Sequence, residues 1–247
     1  MEPTVATVAL AALVTALATG LGALPFLVVH STSSRAVGLS SAAAAGFMTA
    51  ATVVLAWEGA RAGAVKALVG AALGALALWL VQHGLRAHDD FHVGLLRGAD
   101  ARRAVSIVAV MTAHSFAEGV GVGVSYADGA ALGLFITIAI AVHNIPEGLA
   151  ISTVLVPRGS SVAGAAGWSI VSSLPQPLMA VPAFLFVEAF EPLLAAGLGF
   201  AAGAMAWMVA TELLPDACRR VALRPLATAF GLAFAGMMAF QLALAAV

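Results

Sequence analysis

Residues 104–126 read AVSIVAVMTAHSFAEGVGVGVSY, and residues 130–156, after only three more residues, read AALGLFITIAIAVHNIPEGLAISTVLV. Each stretch exceeds the about 20 residues that an α-helix needs to cross the hydrocarbon core of a bilayer. Neither shows the short alternating segments, about ten residues long, of a transmembrane β-strand. Because every backbone N–H and C=O at membrane depth must be paired internally, both stretches predict membrane-spanning helices.

The composition of the whole chain supports this interpretation. Hydrophobic residues make up 62% of the 247 residues and charged residues only 9%, whereas soluble domains carry about 25% charged residues. Such a chain cannot cover itself with a water-facing surface, so lipid must be its main solvent. The single cysteine excludes a disulfide within one chain. The expected fold is therefore an all-α, polytopic membrane protein.

Apolar runs of spanning length recur along the whole chain and predict a single transmembrane domain of eight helices. The polar stretch Gln82–Arg103 is the only long loop. The first run lacks the basic segment that precedes the apolar part of a signal peptide, so we interpret it as a retained helix. The eight predicted spans are Val5–Val29, Val37–Trp57, Ala64–Val81, Ala104–Tyr126, Ala130–Val156, Ser160–Val187, Pro192–Leu214 and Val221–Val247.

Basic residues near the span ends predict the orientation, because loops rich in Lys and Arg stay in the cytoplasm. One set of loops holds only Arg61 and Lys66, and the opposite set holds nine basic residues. We therefore expect both termini outside and the 82–103 loop in the cytoplasm. The nine residues are Arg35, Arg86, Arg97, Arg102, Arg103, Arg158, Arg219, Arg220 and Arg224.

The cytoplasmic loop also contains several potential metal ligands. Imidazole and carboxylate groups both bind divalent metals, but their spacing here fits no closed tetrahedral site. A solvated polar loop is the favoured interpretation, and a weak metal-collecting loop is the alternative. The residues concerned are His83, His88, Asp89, Asp90 and His92.

Each of the two quoted stretches carries a histidine followed four residues later by a glutamate, as His114–Glu118 and His143–Glu147. Residues at i and i+4 share one helix face. A charge at the bilayer centre costs about 2.5–3.5 kcal/mol on insertion scales, so an intramembrane Glu needs a partner or a function. The short connection predicts antiparallel neighbours, which places His114 at the depth of Glu147 and His143 at the depth of Glu118.

Two nitrogen and two oxygen donors can then converge on one divalent cation, which also removes the repulsion between the two carboxylates. The alternative is a pair of His–Glu hydrogen bonds that only hold two helices together. Two copies on adjacent spans make that alternative the weaker one, because burying charges merely for adhesion contributes little stability.

Prolines and further polar groups lie near this pair. Pro146 sits inside the fifth span, and Pro175 and Pro177 flank Gln176 in the sixth. Interrupted helices recur at substrate sites of transporters, so Gln176 is a third candidate contributor, with a plain helix–helix hydrogen bond as the alternative. At the cytoplasmic end of the seventh span, Glu212 and Asp216 lie four residues apart and share one helix face. They form either an ion exit site or a solvated helix end.

At this point the motifs resemble those of a known family. The residues 143–148, HNIPEG, are similar to the fifth-helix motif of the ZIP (Zrt/Irt-like) metal transporters, and residues 114–119, HSFAEG, resemble the fourth-helix motif. Weaker similarity lies in Gly22–Pro25, Ala45–Met48 and Glu212–Pro215. The eight spans, the outside termini and the long third loop also fit, and the GufA-like bacterial subgroup is the most similar.

The resemblance implies a primary metal site of His114, Glu118, His143 and Glu147, with Met48 where some members offer a sulfur ligand. In members with two adjacent metals, the second metal's ligands would match Ser115, Asn144 and Gln176 together with the two Glu. Here Ser115 stands in place of the usual Asn, and Gln176 in place of the usual Glu. The lost negative charge favours one ion.

The resulting interpretation is a carrier, not an enzyme, that takes up Zn²⁺, with Fe²⁺, Mn²⁺, Co²⁺ and Cd²⁺ as other candidate substrates. The expected partners are the metal ion and the lipid bilayer of a bacterial inner membrane, without nucleic acid, and a homodimer is a candidate assembly. The alternatives are an intramembrane zinc-dependent hydrolase, which would need three protein ligands and an open position for water, and a metal sensor or inactive scaffold.

Overall fold

The computed structural model describes residues 2–28, 33–86, 92–93, 96–127 and 129–245, and helices account for nearly all of this part of the chain. The expectation of an all-α membrane fold is confirmed. The helices are α1 (Val5–Thr19), α2 (Pro25–Val28), α3 (Ser34–Arg86), α4 (Gly98–Ala127), α5 (Ala130–Leu155), α6 (Val162–Ser173), α7 (Pro175–Leu185), α8 (Val187–Met208), α9 (Leu214–Arg220) and α10 (Leu223–Ala245).

Short irregular elements connect several of these helices. Gly20–Ala23 and Val156–Arg158 are 3₁₀ turns, and Val209–Leu213 is a π-helical turn between α8 and α9. Two strands, β1 (His92–Val93) and β2 (Leu96–Arg97), pair antiparallel before α4. His88, Asp89 and Asp90 of the predicted cytoplasmic loop lie outside the described residues, and α3 and α4 extend into that loop from both sides.

Six helical stretches of the described chain are long and apolar enough to cross a membrane, so the count of eight spans stays a prediction. The predicted second and third spans both lie within α3, which consists of two helices that meet at a kink at Gly63. Its helical geometry breaks only at Gly63, where the backbone is extended. The predicted sixth span is divided into α6 and α7 at Leu174, because Pro175 cannot continue the hydrogen-bond ladder.

The helices pack as two groups. In the first group, α1 contacts α5 and α7, and α4 contacts α5 and α7; in the second group, α3 contacts α8, α9 and α10. The groups meet where α4 packs on α8 and α3 packs on α5. A buried apolar cluster fills this junction, and its members include Met48, Met111, Ile151, Met205 and Met208.

The outer surface is as apolar as the sequence predicts. Large hydrophobic side chains on several helices are exposed, among them Leu10, Val65, Leu68, Leu178 and Leu232. A soluble monomer rarely exposes large contiguous apolar patches, whereas a lipid-facing surface requires them. The exposed side chains therefore fit a multi-pass membrane protein.

Between α4 and α5 the chain turns sharply at Gly129, whose φ of 133° favours glycine. The N–H of Gly129 donates to the carbonyl oxygen of Tyr126, 3.2 Å away. This short turn returns the chain at once, so α4 and α5 run side by side in opposite directions. Their midpoints, and with them both His/Glu motifs, are thereby placed next to each other.

Candidate metal site

Four side chains from the middle of α4 and α5 converge in the interior. His114, Glu118, His143 and Glu147 each offer one donor atom, and these atoms all lie within 4.8 Å of one another. The Nε2 atom of His114 is 2.9 Å from Oε1 of Glu147 and 3.3 Å from Oε1 of Glu118. The Nε2 atom of His143 is 3.2 Å from Oε1 of Glu147 and 3.8 Å from Oε1 of Glu118. Each imidazole therefore faces the carboxylate of its own helix and also that of the neighbouring helix.

Several of these donor atoms are buried and have no hydrogen-bond partner of good geometry among the residues that the structure describes. They are Nδ1 and Nε2 of His114, Nε2 of His143 and both carboxylate oxygens of Glu147. Burying an unpaired polar atom is costly, and burying a charge is more so. A divalent cation accepts lone pairs from imidazole nitrogen and carboxylate oxygen alike. The donor set thus fits a cation better than it fits a closed hydrogen-bond network.

The four donor side chains differ in how much of their surface is exposed to solvent. The side chain of His143 is 10% exposed, while that of His114 is fully buried. His143 and Glu118 are the pair nearer to the α4–α5 turn. Toward the opposite end, Met111 precedes His114 on α4 and Ile151 follows Glu147 on α5, and both belong to the buried apolar cluster. The least buried of the four donors, His143, thus belongs to the pair on the side of the α4–α5 turn.

Gln176, at the start of α7, lies directly beside the four donors. Its Nε2 group donates to Oε2 of Glu118 at 2.5 Å, and its Oε1 atom accepts from Nδ2 of Asn144 at 3.1 Å. Asn144 also donates Nδ2 to the carbonyl oxygen of Thr15 at 2.7 Å. The Oγ atom of Ser115 and the Oδ1 atom of Asn144 are buried and have no hydrogen-bond partner in the described part of the chain. The structure thus brings Gln176 and Asn144 into contact with the site.

Thr15 on α1 is a residue that the sequence analysis missed. It is fully buried, and its Oγ1 atom lies 2.6 Å from Oε1 of Gln176 and 2.7 Å from the carbonyl oxygen of Ala12. The sequence held one weak signal, since Thr15 and Thr19 are isolated polar residues in an apolar helix. Their spacing of four residues places both on the face of α1 that meets the site.

The glycine after each site glutamate permits close helix contact. A Cβ atom at Gly119 would collide with the backbone of Gln176, and one at Gly148 would collide with the backbone of Thr19. Small residues at such crossings let membrane helices approach closely. The two Glu-Gly pairs therefore bring α7 against α4 and α1 against α5 at the level of the ligands.

The remaining predicted residues are Met48, Glu212 and Asp216. Met48 is buried in the apolar cluster between the helix groups, together with Met111 and Ile151. Glu212 lies in the π-helical turn, and its Oε1 atom accepts from Nε2 of Gln82 at 3.3 Å.

Asp216 is buried on α9, and its Oδ2 atom accepts from Oγ of Ser41 at 3.0 Å and from Nε of Arg220 at 3.1 Å. Both suggested exit residues are thus hydrogen-bonded to side chains of α3, and Asp216 is also hydrogen-bonded to Arg220 of α9.

The sequence of the chain is similar to those of known proteins. A family model described as "ZIP Zinc transporter" matches residues 99–243, which include α4 through most of α10. A protein of Arabidopsis thaliana, named as a candidate zinc transporter, is 48% identical over 240 residues. This match covers 96% of the chain but only 39% of the plant protein. The protein named zinc transporter GufA of Myxococcus xanthus is 33% identical over 224 residues, which covers 85% of this chain and 87% of that protein.

Proposed function

The chain belongs to the ZIP zinc transporter family, and from this premise we propose that it carries a divalent transition metal across a membrane. The transported ion is bound by His114, Glu118, His143 and Glu147 at the middle of α4 and α5. The observation that carries this proposal is the convergence of their four donor atoms within 4.8 Å in the protein interior.

The donor set selects a class of metal. Two imidazole nitrogens and two carboxylate oxygens suit Zn²⁺ in tetrahedral geometry, and they also suit Fe²⁺, Mn²⁺, Co²⁺ and Cd²⁺. Mg²⁺ and Ca²⁺ prefer shells made only of oxygen, so the two histidines disfavour them. We propose Zn²⁺ as the main substrate, in keeping with the printed names of both relatives.

The charge of the site favours a single ion. Glu118 and Glu147 balance one dication, and Ser115, Asn144 and Gln176 around them are neutral. Repulsion between two dications is four times that between two unit charges at the same distance. One metal ion per chain is therefore the expected occupancy, with Met48 as a candidate soft ligand in another conformation.

Uptake into the cytoplasm is the proposed direction. Nine of the eleven basic residues lie in the loops assigned to the cytoplasm, so the α4–α5 turn faces outside, as do both termini. The least buried of the four donors, His143, belongs to the pair nearer to that turn. A dication that enters along the membrane potential gains about 4.6 kcal/mol per 100 mV, at about 2.3 kcal/mol per charge. We assign the protein to a bacterial inner membrane, with a homodimer as the assembly to test.

The alternative of a zinc-dependent hydrolase is not favoured, because the family and the names of the relatives point to a transporter rather than an enzyme. Flux into sealed proteoliposomes tests the proposal. Purified protein should admit Zn²⁺ in competition with a panel of divalent metals, and Glu147→Ala should abolish this flux. Protein-dependent hydrolysis in detergent without flux in vesicles would instead support the enzyme.

A further inference from the structure

A chain of buried side chains connects α1 to the site through Gln176. Gln176 is fully buried, as are Thr15 and Asn144. Its carboxamide has one nitrogen and one oxygen, and the two cannot both face Glu118. Which of them does so determines whether Gln176 can offer an oxygen to a metal or instead supplies a hydrogen-bond donor to the carboxylate.

The orientation of Gln176 follows from a backbone carbonyl. The carbonyl oxygen of Thr15 can only accept, so the atom of Asn144 that lies 2.7 Å from it must be the Nδ2 donor. The same Nδ2 group lies 3.1 Å from Gln176, so the nearer atom of Gln176 must be an acceptor, its Oε1. The hydroxyl of Thr15 lies 2.6 Å from this Oε1 and 2.7 Å from the carbonyl oxygen of Ala12, so its single proton is shared between two acceptors. The Nε2 group of Gln176 is then left for Glu118.

This orientation constrains Glu118. Its Oε2 atom accepts from Nε2 of Gln176, while its Oε1 atom faces the imidazoles of His114 and His143. Hydrogen bonds from an outer group to a metal-binding carboxylate fix its direction and tune its affinity. One carboxylate oxygen of Glu118, Oε2, thus accepts a hydrogen bond from the protein, and the other, Oε1, can bind an ion.

We infer that Thr15, Asn144 and Gln176 act as positioning residues that hold Glu118 as a one-oxygen ligand for a single transported ion. This inference rests on the proposed function, because it assigns a role at the same site. The neutral Gln176 amide supplies the N–H that satisfies the second carboxylate oxygen. Thr15 brings α1 into the binding step although its hydroxyl does not itself bind the ion.

The test is Zn²⁺ binding to the full-length purified protein, measured by calorimetry, with the variants Thr15→Val and Gln176→Leu. Loss of an outer partner of a metal ligand typically weakens affinity about 10–100-fold. We expect a loss in this range for Gln176→Leu and a loss of about tenfold for Thr15→Val. Thr15→Ser keeps the hydroxyl and should retain the affinity of the unchanged protein.

Thr19→Val is the matched control. Thr19 lies one turn further along α1, is equally buried, and is hydrogen-bonded to Oγ of Ser173 at 2.8 Å rather than to Gln176. Its replacement removes a buried threonine hydroxyl from the same helix and should leave the Zn²⁺ affinity unchanged. An equal loss in Thr19→Val and Thr15→Val would overturn the inference, because it would indicate a general packing effect.

X-ray absorption at the zinc edge reports the number of oxygen ligands bound to zinc, which a general packing defect would not change. In the unchanged protein Glu118 should contribute one oxygen to the first shell. In the variant Gln176→Leu, the second carboxylate oxygen of Glu118 loses its hydrogen-bond donor and should also bind the zinc ion. The number of oxygen ligands in the first coordination shell should therefore rise. Unchanged affinity and unchanged shell in Gln176→Leu would refute the positioning role, while loss of binding in Glu147→Ala would still support the transport site. Normal binding in Glu147→Ala would instead refute the proposed function.

Discussion

The Nε2 atom of His114 lies closer to Oε1 of Glu147, at 2.9 Å, than to Oε1 of Glu118 in its own helix, at 3.3 Å. The shortest of the His–Glu contacts at the site therefore joins two helices instead of two turns of one helix. Neither motif forms a self-contained pair. The proposed ion-binding unit is the antiparallel pair of α4 and α5, and each helix alone supplies half of the proposed ligands.

Glu147→Ala and Glu118→Ala should each abolish metal flux. Breaking a buried charged pair by removing one partner typically costs about 3–5 kcal/mol, which corresponds to at least about 100-fold in affinity at 1.4 kcal/mol per factor of ten. Zn²⁺ binding and proteoliposome flux measure the effect. Glu188→Ala is the control, because Glu188 is an exposed carboxylate at the start of α8. If both site variants transport as well as this control, the ion binds elsewhere.

Replacing His143 by cysteine should shift the selectivity towards Cd²⁺. A thiolate is a softer ligand than imidazole and favours softer metals, and His143 is the partly exposed imidazole of the pair. The variant is made in a Cys218→Ser background, since Cys218 is an exposed free thiol. Competition between Zn²⁺ and Cd²⁺ is measured in binding and in flux. If the ratio of the Zn²⁺ and Cd²⁺ affinities is the same in the variant as in the unchanged protein, His143 is not a ligand.

Gln176→Glu should allow a second ion to bind. The added carboxylate raises the negative charge around the site from two groups to three and removes the N–H donor that Glu118 now receives. Calorimetry should then give a stoichiometry above one, and flux should slow because release becomes harder. Gln176→Ala, which adds no charge, should be milder than either Glu118→Ala or Glu147→Ala. Two fully occupied metal sites in the unchanged protein would show the single-ion proposal to be wrong.

Joint neutralisation of Glu212 and Asp216 should slow transport without abolishing Zn²⁺ binding at the central site. Asp216 pairs with Arg220 and accepts from Ser41, while Glu212 accepts from Gln82. Glu212→Gln and Asp216→Asn are compared singly and together by initial rates of flux. Arg220→Gln breaks the same ion pair without removing a carboxylate. If Arg220→Gln slows flux as much as Asp216→Asn does, the ion pair and not the carboxylate matters.

Cysteine labelling should establish the orientation of the chain. In the Cys218→Ser background, an impermeant thiol reagent should label Glu2→Cys in intact cells and should reach Arg97→Cys only after the cells are opened. The expectation follows from the one-sided distribution of Lys and Arg. Labelling of Arg97→Cys in intact cells contradicts it.

The sequence by itself determined the helical membrane fold and the chemistry of the candidate ligands. Both features depend on local patterns. An apolar run of spanning length predicts a helix wherever it occurs, and the i, i+4 spacing places His and Glu on one face of the same helix. The three-residue connection after Tyr126 was enough to predict that the two motifs meet. Hydropathy by itself does not count the spans, because the helices break at Gly63 and before Pro175, and such breaks depend on single residues rather than on the average hydropathy of a segment.

Only the tertiary structure decided the surroundings of these ligands. Thr15 and Gln176 are 161 residues apart, and Ser41 and Asp216 are 175 apart, so no local pattern predicts either contact. The orientation of the Gln176 amide follows from one backbone carbonyl of α1, which approaches because glycines at helix crossings let backbones touch. Hydrophobicity and periodicity specify which residues face inward, but hydrogen bonds between distant segments form only when packing fixes the positions of several helices at once.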